Sequence, residues 1–376
     1  MKNLLTILVI LLFVACKHQS ESKSDLISEK VPISKLPDSV QNGIDSLIVS
    51  IGKTNTCRVM IKAGKMGEIG YYSGYDGRVG AAITDFTSFY EIGSTSKLFT
   101  ASAILQLIEQ DKLSLDDKLV DLLPHDTWYK GLLVVSDTNY IDEVRLVNLL
   151  NHTSGFADYF RETDEEEIKL HGKSDLQFTA GDLVALTKLN SKNTLKPNLR
   201  FQYSNLNYIF LGLIIEKYAG MGYQGYVQQH ILDPLGMKNT YFGSKHRPAA
   251  LAKGHYHQVE VEMPYTMAGS AGEIISTLDD MEIFVNAWYD GEIFEKPETA
   301  RTIQTMYYHD MGLLIKYGLG VVNLLDKSWG HAGQTFGYAS YAGRLPNGYS
   351  FEIAIDDAGV DVWMPAIGLT GILGVQ

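Results

Sequence analysis

A serine and a lysine three residues apart stand at the junction between a predicted strand and a predicted helix. Ser94 and Lys97 would lie on one face of that helix, where the amine can reach the hydroxyl. A serine hydroxyl is a weak nucleophile until a nearby base takes its proton, and a lysine can do so where burial or neighbouring cations lower its pKa. The helix N-terminus adds a backbone amide that can stabilise an oxyanion. The pair indicates nucleophilic acyl transfer, although a serine cap followed by a solvated lysine gives the same pattern.

Two later motifs add polar groups of the kind that acyl transfer uses. Tyr203 and Asn205 fall in a loop that enters a predicted helix, and His331 and Gly333 fall just before a predicted strand. The order S-x-x-K, Y-x-N and H-x-G resembles that of the serine β-lactamase and penicillin-binding-protein superfamily, in its class C-like branch. The resemblance extends over residues 40–376. Shorter stretches that share it are Asn151–Gly155, Asp233–Met237, Ala271–Gly272 and Ser276–Asp280.

The resemblance implies a serine hydrolase that forms a covalent acyl-enzyme on Ser94. Lys97 and Tyr203 would share the general-base and general-acid work, and the sequence leaves open which of them acts first. The oxyanion would lie between the backbone amides of Ser94 and Gln334. This branch includes class C β-lactamases, D,D-carboxypeptidases, D-aminopeptidases and esterases, so the partner would be a small molecule or a short peptide. The residues that the resemblance assigns to substrate binding are Asn205, which would also bind Lys97, and His331, Gly333 and Gln334.

The third motif departs from the family pattern. His331 stands where class C β-lactamases carry a lysine that helps to bind the substrate carboxylate, and a histidine is only partly cationic near neutral pH. Ala332 stands where some D,D-peptidases carry a threonine hydroxyl. We therefore expect weak β-lactam hydrolysis and a peptidase or esterase of the cell envelope that acts on esters, D-amino-acid amides or peptides without a required terminal carboxylate. A true β-lactamase and a slowly acylated penicillin-binding sensor or scaffold are the alternatives.

Other polar residues are interpreted as structural. His152 has no acidic partner that the sequence can name. His255 and His257 are interpreted as surface residues and not as zinc ligands, and the acidic run Asp164–Glu167 as a solvated segment. The absence of a G-x-S-x-G sequence disfavours an α/β-hydrolase. We expect no metal and no cofactor.

The chain begins like an exported protein. Residues 1–15, with the apolar run Leu4–Ala15, are too short to span a bilayer and are typical of a signal peptide. Cys16 ends a stretch that resembles the lipobox of bacterial lipoproteins, and the polar residues 16–39 predict a flexible tether. Cys57 is then left without a disulfide partner and is interpreted as a packing residue.

These features predict a lipoprotein of the cell envelope, anchored at the periplasmic face or in the outer membrane. The net charge of −12, from 32 basic and 44 acidic residues, and the lack of a basic stripe exclude nucleic acid as a partner.

Residues 40–376 are predicted to form one catalytic domain of the α+β class, an α/β sandwich. An antiparallel sheet from the N- and C-terminal parts would be flanked by helices, with a mostly helical lobe inserted at about residues 110–290 and the site in the cleft between lobes. The predicted helices are Val40–Ile51, one from Thr95 onward, Leu146–Leu150, Thr179–Leu189, Leu206–Tyr218, Leu278–Tyr289 and Met364–Leu373. The predicted strands are Arg58–Ala63, Ile69–Ser73, Gly318–Leu324, Gly337–Leu345 and Ser350–Ile355.

Overall fold

A computed structural model describes residues 35–160 and 175–375 of the protein. The predicted signal peptide, Cys16, most of the predicted tether and the acidic run Asp164–Glu167 lie outside these described residues. In the described ranges, none of the helices combines the length and the apolar character that a membrane crossing requires.

The centre of the fold is a nine-stranded sheet in which neighbouring strands are antiparallel. N-terminal strands pair directly with C-terminal strands, as in the register of Val59 with Ile355 and of Ala63 with Phe351. In sheet order the strands are β11 (His309–Gly312), β12 (Ile315–Tyr317), β13 (Val322–Leu324), β14 (Ser328–Gln334), β15 (Ala339–Arg344), β16 (Ser350–Ile355), β1 (Arg58–Lys65), β2 (Ile69–Asp76) and β3 (Ala81–Ala82). The predicted α+β class with one antiparallel sheet from both ends of the chain is confirmed.

In the described part of the chain, seven short strands lie outside this large sheet and form three small sheets. Three of them form a small antiparallel sheet, in the order β4 (Tyr90–Glu91), β10 (Ile274–Ser276) and β7 (Tyr241–Phe242). Two hairpins are formed by β5 (Val134–Val135) with β6 (Thr138–Asn139) and by β8 (His255–Tyr256) with β9 (Val259–Glu260). Because β4 leads directly to Ser94, the small sheet fixes the start of the segment that carries the candidate nucleophile.

Helices cover both faces of the large sheet. The α-helices of four or more residues in the described ranges are α1 (Asp38–Asn55), α2 (Ser96–Glu109), α3 (Leu119–Leu122), α4 (Asp126–Tyr129), α5 (Leu146–Leu150), α6 (Ala180–Leu189), α7 (Asn205–Ala219), α8 (Tyr223–Val227), α9 (Tyr265–Ala268), α10 (Leu278–Asp290), α11 (Pro297–Thr305) and α12 (Trp363–Leu373). On one face, α1 buries a stripe at Val40, Ile44 and Ile48, which the four-residue spacing places on one side of the helix. There α1 packs beside α12, whose Leu369 and Leu373 are also fully buried.

On the other face, α10 lies against the sheet and the larger core lies behind it. Helices α2 and α7 are buried on nearly all sides, which is why their sequences are apolar with little polar face. Two predicted helix starts are confirmed by their caps. The Thr179 and Thr277 hydroxyls accept hydrogen bonds from the backbone N–H groups of Asp182 (3.2 Å) and Asp280 (3.3 Å), respectively.

The predicted strand Gly318–Leu324 is wrong in its first half. Residues 318–321 form a tight turn between β12 and β13, with Gly320 at a φ of +78° and its N–H donating to the backbone oxygen of Leu150 (3.1 Å). Leu319 and Val321 are nevertheless buried, so this turn has the composition of a strand. The segment Trp329–Gln334, predicted to precede a strand, is itself part of β14.

Candidate active site

Ser94 lies in a 3₁₀ turn, Gly93–Thr95, between β4 and the N-terminus of α2. Gly93 has a φ of +51°, and a Cβ atom at this position would come within 2.7 Å of the backbone nitrogen and oxygen of Gln334. Only glycine combines this backbone conformation with so close an approach to β14. The turn therefore holds the half-buried Ser94 side chain between the helical core and the edge of β14.

The Lys97 side chain is completely buried, on the first turn of α2. Its Nζ lies 3.0 Å from Ser94 Oγ, 2.7 Å from Asn205 Oδ1 and 2.8 Å from the backbone oxygen of Ala271. These three acceptors match the three N–H donors of a charged lysine. The Tyr203 ring centroid is 4.9 Å from the same nitrogen, a distance at which an aromatic face also attracts a cation. A solvated lysine, the alternative left open by the sequence, is thereby excluded.

Tyr203 lies in the loop before α7 and brings a second group to the nucleophile. Its hydroxyl lies 2.8 Å from Ser94 Oγ, so this oxygen contacts both the Lys97 amine and the Tyr203 phenol. The His152 ring packs on the Tyr203 ring, with centroids 4.2 Å apart and planes inclined by 31°. Residues far apart in the sequence thus converge on one serine oxygen, as the motif order predicts.

His152 supports the site without reaching Ser94 through any hydrogen bond. Its Nδ1 accepts from the Ser204 backbone N–H (3.2 Å) and the Asn207 side-chain amide (2.9 Å). Complete burial lowers the pKa of His152 well below its usual value, and the nearby Lys97 charge adds to this effect. The uncharged ring therefore serves as a flat surface that orients Tyr203, which agrees with its interpretation as a structural residue.

Asn205 is the first residue of α7 and connects Lys97 to a carboxylate. Its Oδ1 accepts from Lys97, while its Nδ2 donates to Asp158 Oδ2 (2.9 Å) and its backbone N–H donates to Asp158 Oδ1 (3.1 Å). Sequence reasoning missed Asp158. The signal that would have found it is an acidic residue three positions after the Asn151–Gly155 stretch, although its partner lies 47 residues further along the chain.

His331 lies on β14 and is 3% exposed. Its Nδ1 lies 2.5 Å from the backbone oxygen of Ala332, and its Nε2 lies 3.0 Å from the Tyr317 hydroxyl. Since a carbonyl oxygen can only accept, Nδ1 carries the proton and Nε2 accepts from Tyr317. Burial, followed by the Lys97 charge, lowers the pKa of His331 to about 3. The ring is therefore neutral at physiological pH, more completely than the sequence predicts, and supplies no charge for a substrate carboxylate.

Gly333 and Gln334 are the last two residues of β14 and lie beside Ser94. A Cβ atom on Gly333 would come within 1.8 Å of the Ile92 backbone oxygen, so the glycine allows strand and turn to touch. The Ser340 hydroxyl donates to the same Ile92 oxygen (2.8 Å) and ties the sheet to the turn. The Gln334 side chain is directed away, with Nε2 donating to the Ala358 oxygen (2.8 Å). What Gln334 presents next to Gly93 is its backbone.

Two cavities of different size lie beside Ser94. On the β14 side is a cavity of about 230 Å³. It is lined by Ser94, Tyr203, Met311, Tyr317, Val322, His331, Ala332, Gly333, Gln334, Ala339, Val360, Asp361, Val362 and Trp363. On the other side is a smaller depression whose apolar walls include Tyr159, Phe160, Met263 and Met267. The cavity on the β14 side is therefore the one with room for part of a substrate, because the depression opposite has a volume of only about 20 Å³.

The remaining polar candidates lie apart from this site. In residues 35–160 and 175–375, no three His, Cys, Asp or Glu side chains converge as metal ligands would. His255 is half-buried and lies 3.0 Å from an Arg78 guanidinium nitrogen, whereas His257 lies in the turn that follows, so the interpretation of both as plain surface histidines is wrong for His255. Cys57 is buried, as interpreted, and burial raises the pKa of its thiol to about 12, which keeps it unreactive.

Comparison with known proteins places this geometry in a family. The model of the Beta-lactamase family matches residues 61–355. Among curated relatives, the chain is 31% identical over 156 residues to "Protein flp" of Staphylococcus aureus (strain MW2), which covers 42% of this chain and 28% of that protein. It is 29% identical over 269 residues to "Putative penicillin-binding protein PbpX" of Bacillus subtilis (strain 168), which covers 66% of this chain and 60% of that protein. The chain thus spans less than two thirds of the length of these relatives.

Solved structures share the fold over most of the chain. D-amino acid amidase from Ochrobactrum anthropi SV3, in complex with D-phenylalanine, has a TM-score of 0.74 at 23% identity and covers 90% of this chain and 99% of its own. The octameric penicillin-binding protein homologue from Pyrococcus abyssi has a TM-score of 0.74 at 24% identity, and the match covers 89% of this chain and 77% of that protein's chain. Since the family model spans most of the sequence, including both the nucleophile segment and β14, this chain belongs to the Beta-lactamase family.

Proposed function

We propose that the protein is a serine hydrolase that cleaves amide bonds through an acyl-enzyme on Ser94. One observation carries the proposal: Ser94 Oγ lies 3.0 Å from Lys97 Nζ and 2.8 Å from the Tyr203 hydroxyl. Both distances are within the range at which a base can take up the proton of the hydroxyl. A serine held in this way is a nucleophile whose proton has a place to go.

The reaction proceeds in two balanced halves. Ser94 Oγ attacks the substrate carbonyl carbon while its proton passes to the Lys97–Tyr203 pair, and the carbonyl oxygen becomes an oxyanion. Collapse of this intermediate breaks the C–N bond, and the pair returns the proton to the leaving amine. In the second half, water loses a proton to the same pair and attacks the ester carbon. Ser94 Oγ leaves and takes the proton back, which releases the carboxylic acid product.

The oxyanion site in this proposal lies between the backbone N–H groups of Ser94 and Gln334. Its support is the forced closeness of the two segments, since Gly93 and Gly333 both lie where a Cβ atom would collide with the facing backbone. Removing one such donor typically lowers kcat about 10²- to 10³-fold.

The substrate in this proposal is neutral or cationic where it lies along β14. His331 is uncharged and both of its ring nitrogens are occupied, and Asp361 brings a negative charge to the same cavity. Among the described lining residues of that cavity none carries a positive charge. D-Amino-acid amides and amide-capped D-peptides fit these conditions, and one protein that shares the fold is a D-amino acid amidase.

The test uses Ser94→Ala, with Ser46→Ala as a matched control because Ser46 is an exposed serine on α1. Wild type and Ser46→Ala are expected to react with a fluorescent phosphonate and to hydrolyse D-amino-acid amides, and Ser94→Ala is expected to do neither. Labelling without any turnover over a panel of amides and esters would instead favour the penicillin-binding sensor. Wild-type labelling and wild-type amide hydrolysis in Ser94→Ala would overturn the proposal.

A matched pair of peptides tests the charge preference. We expect a D-Ala-D-Ala peptide with a carboxamide end to be hydrolysed about tenfold or more faster, in kcat/KM, than the same peptide with a free carboxylate, because the carboxylate meets no cation and approaches Asp361. Rapid hydrolysis of nitrocefin, or a preference for the free carboxylate, would favour the true β-lactamase and contradict this part of the proposal.

We also propose that the enzyme is an exported lipoprotein with a signal peptide at residues 1–15, a tether at residues 16–39 and the catalytic domain at residues 40–376. The support is the sequence around Cys16 alone. Expressed as the full chain in a bacterial host, the wild type and Cys57→Ala are expected to incorporate a palmitate probe and to sediment with membranes. Cys16→Ala is expected to lose both properties, and retention of the probe in this variant would overturn the anchor.

A further inference from the structure

A carboxylate that the mechanism above does not use lies one side chain away from the buried lysine. Asp158 Oδ1 accepts from the backbone N–H of Asn205 (3.1 Å) and of Phe160 (3.3 Å), and Asp158 Oδ2 accepts from Asn205 Nδ2 (2.9 Å). Asn205 Oδ1 in turn accepts from Lys97 Nζ (2.7 Å). The Asn205 amide thus bridges an amine and a carboxylate.

The bridge fixes which way round the amide lies. The Lys97 amine donates a hydrogen bond, so it must face the Asn205 side-chain oxygen. The Asp158 carboxylate only accepts, so it must face the Asn205 side-chain nitrogen. Both requirements are met by one orientation only, with the oxygen towards Lys97 and the nitrogen towards Asp158. The Asp158 carboxylate therefore keeps the Asn205 side-chain oxygen, which is a hydrogen-bond acceptor, directed towards the Lys97 amine.

Among the described residues, the other titratable groups packed around Lys97 cannot substitute for Asp158. His152 and His331 are uncharged because they are buried. The phenols of Tyr203, Tyr208 and Tyr317 carry no charge until they lose a proton. Two carboxylates on neighbouring elements are engaged elsewhere, since Glu273 binds Gln224 (2.8 Å) and Glu91 binds Tyr265 (2.8 Å).

We propose that Asp158 is a positioning residue that acts through Asn205 to set the pH range in which Ser94 is activated. The inference rests on the proposed hydrolase function, because it concerns the protonation of the same Lys97–Tyr203 pair. A negative charge next to the pair favours its protonated state, whichever member carries the proton. Removing the charge makes deprotonation easier, so the pair reaches its active state at lower pH.

The variant Asp158→Asn makes two changes in the same direction. It removes the charge, which lies on the order of 7 Å from the amine across the amide, and at that distance a charge shifts an apparent pKa by about 0.5 to 1.5 units. Towards the described partners of Asp158, it also places an N–H donor opposite either the two backbone N–H groups or the Asn205 amide. The second arrangement has the lower cost, and it turns the Asn205 nitrogen towards Lys97, where it no longer accepts.

The experiment measures the second-order rate of phosphonate labelling of Ser94 against pH in the full chain. We expect the acid limb of the Asp158→Asn profile to move to lower pH by about 0.5 to 1.5 units relative to wild type. The double variant Asp158→Asn with Asn205→Asp moves the carboxylate next to Lys97, so its acid limb is expected to lie above that of wild type. A purely structural loosening of the loop cannot reverse the direction of the shift.

Asn190→Ala is the matched control, because the Asn190 amide donates to the backbone oxygen of Asp158 (2.9 Å) and not to its carboxylate. It loosens the same loop and is expected to leave the limb where it is in wild type. Profiles of both Asp158 variants that superpose on wild type, while wild type labels at Ser94, would overturn this inference alone. Absence of labelling in wild type would instead refute the proposed function. Thermal unfolding of each variant checks that it is folded at every pH used.

Discussion

Gly333 and the Ile92 backbone approach so closely that no side chain fits between them, and the variant Gly333→Ala tests how much the site depends on this approach. The added Cβ would lie 1.8 Å from the Ile92 oxygen and 2.5 Å from the Ser340 hydroxyl, whereas Cβ atoms essentially never approach another atom within 3.0 Å. Strand β14 and the turn that carries Ser94 must therefore separate by more than 1 Å. That separation also disrupts the bond from Ser340 to Ile92 and the bond from Thr95 to the His331 oxygen (3.2 Å).

Because the Gln334 amide adjoins Gly333, the separation moves one donor of the proposed oxyanion site. A displacement of about 1 Å at a catalytic group costs about 10²-fold in rate, and loss of one oxyanion donor costs about 10²- to 10³-fold. We therefore expect kcat/KM to fall by about 10²- to 10³-fold. Overpacking at a buried position also destabilises by about 1–3 kcal/mol, so the melting temperature should fall by several degrees at most while the protein stays folded.

The assay compares kcat/KM on a D-amino-acid amide with the rate of phosphonate labelling and with thermal unfolding. The control is Gly371→Ala, since Gly371 lies on α12 with no atom within 4 Å of the added Cβ. This control is expected to keep wild-type activity and to gain slightly in stability, as alanine does in a helix. The reasoning is refuted if Gly333→Ala keeps more than about a third of the wild-type kcat/KM, because a donor displaced by this distance cannot support that rate.

Three further predictions concern groups around the site and in the sheet. Tyr203→Phe removes only the hydroxyl that lies 2.8 Å from Ser94 Oγ, so Ser94 labelling should fall by about 10²- to 10⁴-fold with little change in melting temperature, and near wild-type labelling would remove Tyr203 from the proton path. His331 should stay neutral between about pH 5 and 8, so its ¹³Cε1 resonance, assigned with His331→Gln, should not shift in that range, and a midpoint near 6.5 would contradict the pKa of about 3. Glu352 on β16 is completely buried without a hydrogen-bond partner for either carboxylate oxygen among the described residues, and this burial, with Glu282 nearby, raises its pKa well above the usual value. A raised folded-state pKa means that the folded protein holds the proton longer, so the stability from Glu352 is present below about pH 4 and declines as the pH rises. Glu352→Gln should therefore melt close to wild type at about pH 4 and above it at pH 8, and a difference that does not vary with pH would refute this.

Much of the site was predictable because its signals are local. The three-residue spacing of Ser94 and Lys97 on one helix dictates that their side chains meet, and the structure places them 3.0 Å apart. Tyr203 and Asn205 were predictable only through the family resemblance, since nothing in the spacing of a loop tyrosine indicates a partner more than a hundred residues away. The single sheet was predictable because strand-like segments stand at both ends of the chain around a mostly helical middle, although Lys62 on β1 and Glu352 on β16 interrupt their apolar residues.

What the sequence did not reveal depends on contacts that leave no pattern. Asp158 is one acidic residue in a loop, and its importance arises only when α7 brings Asn205 against it. The turn at Gly320 was predicted as strand because burial, and not strand geometry, selects the apolar Leu319 and Val321. The neutrality of His331 was only partly predictable, because the sequence shows the residue type but not the complete burial that lowers its pKa.

The division of the site between two parts of the fold explains how its substrate preference can change without loss of its chemistry. The groups that we propose to move the Ser94 proton, Lys97 and Tyr203, belong to the helical core, where Lys97 binds Asn205 and the Tyr203 ring packs on His152. Much of the lining of the larger cavity belongs to β14 and to the segment that leads into α12. A change such as lysine to His331 on β14 alters the charge offered to the substrate, yet it breaks none of the hydrogen bonds among Ser94, Lys97 and Tyr203. In the proposed mechanism, acyl transfer and recognition of a carboxylate are therefore separable, so a member of the Beta-lactamase family keeps the first while lacking the second.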